Sequence, residues 1–378
     1  MVVGGGPAGA VAARTAAARG RRVLLVERAR RSAGRCAGVI SPRTRDLLDI
    51  PDEFVLARIR RAIVVSPKGR PIEFSSRSIK AYVIDRAGLD ELLIARARAE
   101  GVEVARGVAA VGLSGDELAT TAGRVRFSVL VGADGVVSQV ANWAGLPRPR
   151  ELLVGVQAVV VAPAPTDTVE VHLGRGVAPG FFAWVVPAGD RVRIGLATCD
   201  WRAARGLLVA FLSRRFPAAR VEGWTGGLIP IGPPEKTVSG RVLLVGDAAG
   251  QVKPISGGGL YFGTVGARLA GEAAARGPEA LPGYERRWRE ELGEEISFGL
   301  AARRVFLELT DPELDRALAA IASPRLVGLL ADRADIDYPS RLLAVVRSSP
   351  GVWGPLLAAA RALGGIGRLQ RLVEGLPG

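Results

Sequence analysis

The sequence predicts a mixed α/β fold: a Rossmann-like dinucleotide-binding domain, an inserted domain rich in antiparallel β-strand, and a helical C-terminal region. Three observations carry this. A glycine loop at residues 4–9 stands between a short apolar strand and an Ala-rich helix. Two further buried-strand patterns end in an acid, at "VLVGADG" and "RVLLVGDAAG". Between them, residues 151–235 read as strands punctuated by turn signals.

The elements follow in order. "MVV" is a strand, "GGGPAG" a turn, "AVAARTAAARG" a helix ending at Gly20, and "RRVLLVE" the next strand. The first strand is shorter than the usual run of about five to six residues. That fits either a clipped strand or a start further upstream. With the loop beginning at Gly4, no leader peptide is expected before it. Residues 28–50 form an Arg-, Gly- and Ser-rich connection with a short helix after Pro42. "ARIRRAIVVSPKGRPIEF" reads as a hairpin turning at Pro67, Lys68 and Gly69. "DRAGLDELLIARARAEG" is an amphipathic helix stopped near Gly101, followed by short strands over 102–131. A helix over 201–216 interrupts the β-rich stretch. A long small-residue helix covers 257–275, and everything after 282 reads as helix. The expected domains are therefore 1–52, 82–148 and 238–290 (dinucleotide-binding), 53–81 and 149–237 (β-rich, substrate), and 291–378 (helical).

Composition bounds the function. At 378 residues and 48% apolar content, the chain has core material for two or three units. Its net charge is +14, which raises nucleic acid as a partner. The arginines are spread along the chain, however, and Lys occurs only at 68, 80, 236 and 253, so no nucleic-acid arm is expected. Met1 is the only Met and Asn142 the only Asn, a bias of thermophiles or GC-rich genomes. Cys36 and Cys199 make no disulfide framework, and with His172 as the sole His no metal site is expected. His172 reads as a structural or exposed side chain, since no G-x-S-x-G elbow accompanies it. No apolar run reaches spanning length. A cytoplasmic monomer is expected. The C-terminal "SRLLAVVRSSPGVWGPLLAAARALGGIGRLQRLVEG" reads as a helical cap, with peripheral membrane contact as the second reading.

The chemistry sits in the motifs. Gly4, Gly6 and Gly9 form G-x-G-x-x-G: a tight turn, a close approach for pyrophosphate, and close helix–sheet packing. Pro7 and Ala8 open the helix, where Pro needs no N–H and the N-terminus faces an anion. Glu27 ends the second strand, where an acid accepts bonds from ribose and repels a 2′-phosphate. Asp134 and Gly135 follow a second buried strand, and Gly246 and Asp247 a third. Asp247 is placed to hold the hydroxyls of a sugar or ribityl chain. Pro254, Gly257, Gly258, Gly259 and Leu260 lead into a helix whose N-terminus can stabilise negative charge.

With these three motifs in this order, residues 1–290 resemble the FAD-binding fold of p-hydroxybenzoate hydroxylase-like flavoproteins. Within it the chain looks most like the geranylgeranyl reductase family. "GRCAGVISP" matches that subgroup's Cys-x-Gly, with Cys36 and Gly38. "GGLIPIGPPEKTVSGRVLLVGDAAGQVKPISGGG" follows its approach to the flavin strand. "FFAWVVPAG" resembles its aromatic-x-Trp-x-x-Pro-x-Gly signature, with Phe182 where Tyr is usual. Leu260 and Gly263 replace the commoner Ile and Ala.

The resemblance implies FAD as cofactor. Gly4, Gly6, Gly9 and Glu27 would bind its ADP half, and Arg86 would lie near the pyrophosphate. Asp247 would bind the ribityl and pyrophosphate region, with Gly257, Gly258 and Gly259 against the isoalloxazine. Asp134 is usually structural in this motif. The connection with Arg28, Arg35, Cys36, Ala37 and Gly38 completes the expected cofactor-binding set. Phe182 and Trp184 are expected on one face of a strand, with Phe181 on the other. They are either plain core or an aromatic wall for a polyprenyl chain. Cys36 is either a small buried hydrophobe or a proton donor at the cavity. Cys199 reads as structural, and Lys253 as a solvated charge.

The implied activity is saturation of geranylgeranyl double bonds on archaeal-type membrane lipids, with electrons from an external donor, NAD(P)H or ferredoxin. An unactivated alkene leaves the protein mainly positioning and water exclusion. The alternatives are an aromatic monooxygenase of the same fold, an electron-transfer flavoprotein to quinone, and a non-redox FAD isomerase or cyclase. Two cysteines exclude a built-in four-Cys iron–sulfur cluster.

Overall fold

The computed structural model describes residues 1–342 except 33 and 35, together with 345 and 349. The chain divides into two compact units.

The first unit is Met1–Gly34, Arg86–Leu152 and Ile229–Ile296. Its six-stranded sheet runs in the order Val238–Ser239, Val242–Leu244, Leu130–Gly132, Val2–Val3, Leu24–Glu27, Glu103–Arg106. All neighbours are parallel except the first pair. The short Val2–Val3 is central: it pairs with Leu25 and Val26 on one side and Val131 and Gly132 on the other. A parallel strand covered on both faces has no polar face, hence the unbroken apolar runs. Pro7–Ala17, Arg86–Ala99 and Leu260–Arg276 are its main helices. Their Ala and Gly content has a packing cause. A Cβ on Gly271 would lie 2.6 Å from the Ala12 carbonyl oxygen, so the helices Pro7–Ala17 and Leu260–Arg276 meet nearly backbone to backbone. A three-stranded meander, Ala110–Ser114, Glu117–Thr120 and Gly123–Arg126, completes the unit.

The second unit is Arg35–Asp85, Leu153–Leu228 and the chain from Ser297 onward. Its seven-stranded sheet runs Arg220–Ile231, Glu151–Val161, Arg191–Thr198, Ala183–Ala188, Thr168–His172, Arg61–Val65, Pro71–Ser75. The hairpin at Pro67, Lys68 and Gly69 forms as expected, with Gly69 at φ +80°. Alternation along Ala183–Ala188 divides the faces. Ala183 and Val185 pack with Leu208, Phe211 and Leu212 of the helix Ala204–Arg215. Trp184, Val186 and Ala188 pack with Ile59 and Val83.

The unit borders differ from the expected ones most at 35–52 and after 297, and over shorter stretches at 82–85, 149–152, 229–237 and 291–296. Residues 35–52 join the β-rich unit, because Val39–Ile40 pairs with Ala81–Ile84 in a small sheet that also holds Val55–Ile59. The helices after 297 are not a separate region either. Arg303 donates to the Gly180 carbonyl at 2.9 Å, Arg175 to the Leu309 carbonyl at 3.0 Å, and Ser41 to Asp337. Most of the C-terminal stretch considered for membrane contact lies outside the described residues. Among the described residues, no helix is long and apolar enough to cross a membrane.

Candidate functional site: a dinucleotide cradle

The glycine loop is built by contacts that admit only hydrogen. Gly4 sits at φ +105°, and a Cβ there would collide with the Ala133 carbonyl oxygen. A Cβ on Gly9 would collide with the Gly4 carbonyl oxygen. Gly6 is different: a Cβ there would meet nothing within 4 Å. Gly6 is also the N-cap of Pro7–Ala17 and supplies no side-chain acceptor. The helix thus presents its N-terminal N–H groups beside open space, as an anion site requires.

Glu27 closes the loop from the neighbouring strand. Its Oε2 accepts from Gly5 N–H at 2.6 Å, and its Oε1 from Ala29 N–H at 2.7 Å. Each oxygen keeps a lone pair for a ligand hydroxyl.

Arg86 is the first residue of Arg86–Ala99 and is buried. It donates to Asp90 Oδ1 at 2.9 Å, and Ser32 donates to Asp90 Oδ2 at 2.6 Å. Its charge also reaches Asp247. Burial raises the Asp247 pKa, and Arg86 opposes that rise. Asp247 is nonetheless exposed at the surface of the chain. Desolvation by the surrounding protein atoms raises a carboxyl pKa even where part of the side chain meets solvent.

Asp247 stands against the turn at the head of Leu260–Arg276. A Cβ on the N-cap Gly259 would lie 3.0 Å from Asp247 Oδ1. Gly246, at φ +66°, packs on Ala8: an added Cβ would come within 2.8 Å of the Ala8 Cβ. This contact brings the third motif onto the first. Gly257, Gly258 and Lys253 form one loop, with Gly257 N–H donating to the Lys253 carbonyl at 2.9 Å. Pro254, in the same loop, is buried, and Leu260 starts the helix.

Other expected residues fall differently. Asp134 spends both oxygens on the start of the helix Gln139–Trp143: Ser138 Oγ donates at 2.6 Å, and Gln139 and Val140 N–H at 2.7 and 3.1 Å. Gly135 follows at φ +82°. Arg28 is exposed. Arg35 lies outside the described residues.

Cys36, Ala37, Gly38, Phe182 and Trp184 all belong to the second unit. Ala37 and Trp184 pack against the same apolar cluster. Cys36 is exposed, not a buried hydrophobe, with Gly38 N–H directed at its Sγ at 3.4 Å. Arg193 ties this loop to the sheet by donating to the Ala37 and Ile84 carbonyls at 2.8 and 3.1 Å. Phe181 does not take the opposite strand face. It and Phe182 precede Ala183–Ala188, so strand alternation does not govern them, and their rings stack at 4.2 Å. Phe182 meets Trp184 edge to face at 6.3 Å. The Trp184 indole lies across Gly195, where a Cβ would be 2.5 Å from its Cζ2, and its Nε1–H donates to buried Gln157 at 3.0 Å.

Several supporting residues escape a reading of motifs. Gln251 Oε1 accepts from Gly246 N–H at 2.8 Å, its Nε2 donates to Tyr284 Oη at 3.0 Å, and Tyr284 donates to the Leu244 carbonyl at 2.6 Å. This buried chain shapes the turn that presents Asp247. No local signal marks Gln251 or Tyr284. Asp90 was findable, lying four residues after Arg86 on a helix. So was Gly195, an isolated Gly inside a strand pattern.

A parallel sheet with a glycine loop, a strand-end acid and a third strand ending in Asp247 defines a dinucleotide-binding oxidoreductase of the flavoprotein fold. A family model described as an NAD(P)-binding Rossmann-like domain matches residues 2–50. The digeranylgeranylglycerophospholipid reductase of Methanothrix thermoacetophila is 32% identical, covering 93% of this chain and 96% of that protein. Digeranylgeranylglycerophospholipid reductase 2 of Methanothermobacter thermautotrophicus is 34% identical, over 90% and 97%. The chain belongs to the digeranylgeranylglycerophospholipid reductase family. In fold it is similar to a geranylgeranyl bacteriochlorophyll reductase-like protein of Thermoplasma acidophilum, with a TM-score of 0.80 at 22% identity, over 93% of this chain and 98% of that one.

Proposed function

We propose that this protein is an FAD-dependent reductase that saturates the double bonds of geranylgeranyl chains on archaeal-type membrane lipids. The observation that carries this reading is the family relationship, which extends over both units. The cradle suits FAD on its own chemistry: open space at Gly6, a strand-end carboxylate at Glu27, and an acid at Asp247 beside uncapped Gly259.

In this reading the N–H groups after Gly6 hold the pyrophosphate, with Arg86 adding positive charge. Glu27 accepts from the adenosine ribose while Gly5 and Ala29 fix its carboxylate. Asp247 accepts from the ribityl chain. Gly257, Gly258 and Gly259 lie against the isoalloxazine. When bound and reduced, FAD would supply a hydride equivalent to one carbon of a trisubstituted alkene, and a proton at the other carbon completes saturation. The polypeptide positions the alkene and excludes water. Trp184, clamped by Gln157 and Gly195, is the apolar wall, with Phe182 beside it. Cys36 is the candidate proton donor, being exposed and in a loop tied down by Arg193. The electron donor is NAD(P)H or ferredoxin.

The test is anaerobic incubation of dithionite-reduced protein with geranylgeranyl lipids, read by mass spectrometry. The expected result is a gain of H2 per double bond without oxygen. Oxygen-dependent hydroxylation of an aromatic compound, with the prenyl chains untouched, would refute it.

A further inference from the structure

Residues 201–216 hold four arginines and no acid. They comprise the helix Ala204–Arg215 and the residues flanking it. Trp201, leading into the helix, is 66% exposed, and Trp224, on the strand Arg220–Ile231, is 40% exposed. Tryptophan is normally buried over most of its surface. In this unit each of the two rings lies under a guanidinium. Arg202 is 5.1 Å from the Trp201 centroid and Arg205 is 4.7 Å from that of Trp224. The Arg205–Trp224 pair joins helix and strand into one surface. Val209, one turn beyond Arg205, is exposed, as are Val221 and Leu228 on the strand, which is the edge of its sheet.

The nearby acids are already engaged. Asp200 accepts from Arg202 and Ala203 N–H, both at 3.1 Å. Glu222 is paired with Arg191 and Arg220. Among the described residues neither Arg202 nor Arg205 forms an ion pair.

We propose that this face docks the protein on an anionic lipid bilayer. Indole and guanidinium are the side chains suited to head-group depth: the ring enters the acyl boundary and the cation meets lipid phosphate. An arginine stacked on each tryptophan keeps the two functions within one lipid's reach. An exposed edge strand could instead pair with a second copy. Arg202 and Arg205, which form no ion pair among the described residues, oppose that, because a symmetric contact would bring like charges together. The inference rests on the proposed function in one respect, that the substrate resides in a membrane.

The experiment is cosedimentation of the full-length protein with phosphatidylcholine vesicles, with and without phosphatidylglycerol. The W201A/W224A and R202Q/R205Q double variants are run alongside. Binding is expected only with the anionic lipid, with a blue shift in tryptophan emission, and about tenfold weaker in each double variant. Unchanged binding by both variants would overturn the proposal. So would a dimer in solution that W201A/W224A converts to monomer, which would assign the face to self-association. Reduction of detergent-dispersed geranylgeranyl lipid should be unaffected in both variants. Failure of the unaltered protein to reduce dispersed lipid would remove the proposed function and leave the vesicle result standing by itself.

Discussion

Glu27 and Gly5 are joined by a 2.6 Å hydrogen bond from the Gly5 amide to Oε2, so the acid at the end of one strand holds the loop that follows another. The carboxylate is oriented before any ligand arrives. Replacing Glu27 with Ala removes that acceptor and the ribose acceptor together. Hydrogen bonds to charged groups contribute about 1.5–3 kcal/mol each, so FAD affinity should fall by roughly ten- to a hundredfold. Fluorescence titration of the apoprotein with FAD reads this directly.

The three motif glycines should respond differently to the same small change. Gly9→Ala forces a Cβ into the Gly4 carbonyl and should cost roughly 3 kcal/mol or more of stability. Gly6→Ala adds a methyl to open space and should leave the melting temperature nearly unchanged while weakening FAD binding. Thermal melts with and without FAD separate the cases. Equal melting losses in both variants would contradict the open cradle at Gly6.

Asp247 sets a pH dependence whose sign can be worked out. Burial raises its pKa in the folded protein above the ordinary value of 3.8, against the pull of Arg86. The folded state therefore binds its proton more tightly than the unfolded chain. Stability from this group is greatest below pH 3.8, declines as pH rises through the folded pKa, and stays lower above it. Asp247→Asn should remove that slope and stabilise the FAD-free protein at neutral pH, while weakening FAD binding. Denaturant melts across pH, together with a flavin titration, check both halves. A variant less stable than the parent at neutral pH would show that Asp247 is not strained by burial.

Trp184 is positioned by what lies beneath and behind it. Gly195→Ala pushes a methyl against the indole and the Val156 carbonyl, and should cost about 1–3 kcal/mol by overpacking. Gln157→Leu instead removes the acceptor of the indole N–H and should change Trp emission more than stability. If Trp184 is the wall for the prenyl chain, both variants raise KM for geranylgeranyl lipid more than they lower kcat.

Glu170 offers an acid-side counterpart. Burial pushes its pKa up, but hydrogen bonds from His172 and Arg215 outweigh this and hold it below the ordinary value of 4.5. That stability is present above pH 4.5 and is lost as pH falls through the folded pKa. Glu170→Gln should flatten the acid limb of the melting curve, with loss of stability at neutral pH.

Much of the first unit was legible because its signals are local. Gly9 is required by a contact inside its own turn, and Pro7 and Glu27 stand at fixed offsets from it; Gly4 is legible from the motif although the atom that excludes its Cβ belongs to Ala133, far along the chain. The Asp134 motif was legible as a strand end, but its direction was not: the carboxylate turns to the N–H groups of its own helix. The borders at 35–52 and after 297 were not legible, since they depend on strand pairing with Ala81–Ile84 and on hydrogen bonds from Arg303 and Arg175. Phe181 was misplaced because alternation was extended two residues beyond the strand that obeys it.

The sequence by itself determined the backbone chemistry of the cradle: where hydrogen must replace a side chain, where a helix must begin, and which strands end in a carboxylate. Most of these are constraints within one turn or one element, which residue type states outright; the collision of Gly4 with Ala133, far along the chain, is the exception. Only the tertiary structure decided which groups share a neighbourhood. It set Arg86 near enough to Asp247 to oppose its rise in pKa, and threaded Gln251 through Tyr284 beneath the turn. It also laid Trp184 over Gly195, and placed Arg205 on Trp224. Each joins residues from different elements, and such contacts are fixed by packing and burial, which no local pattern encodes.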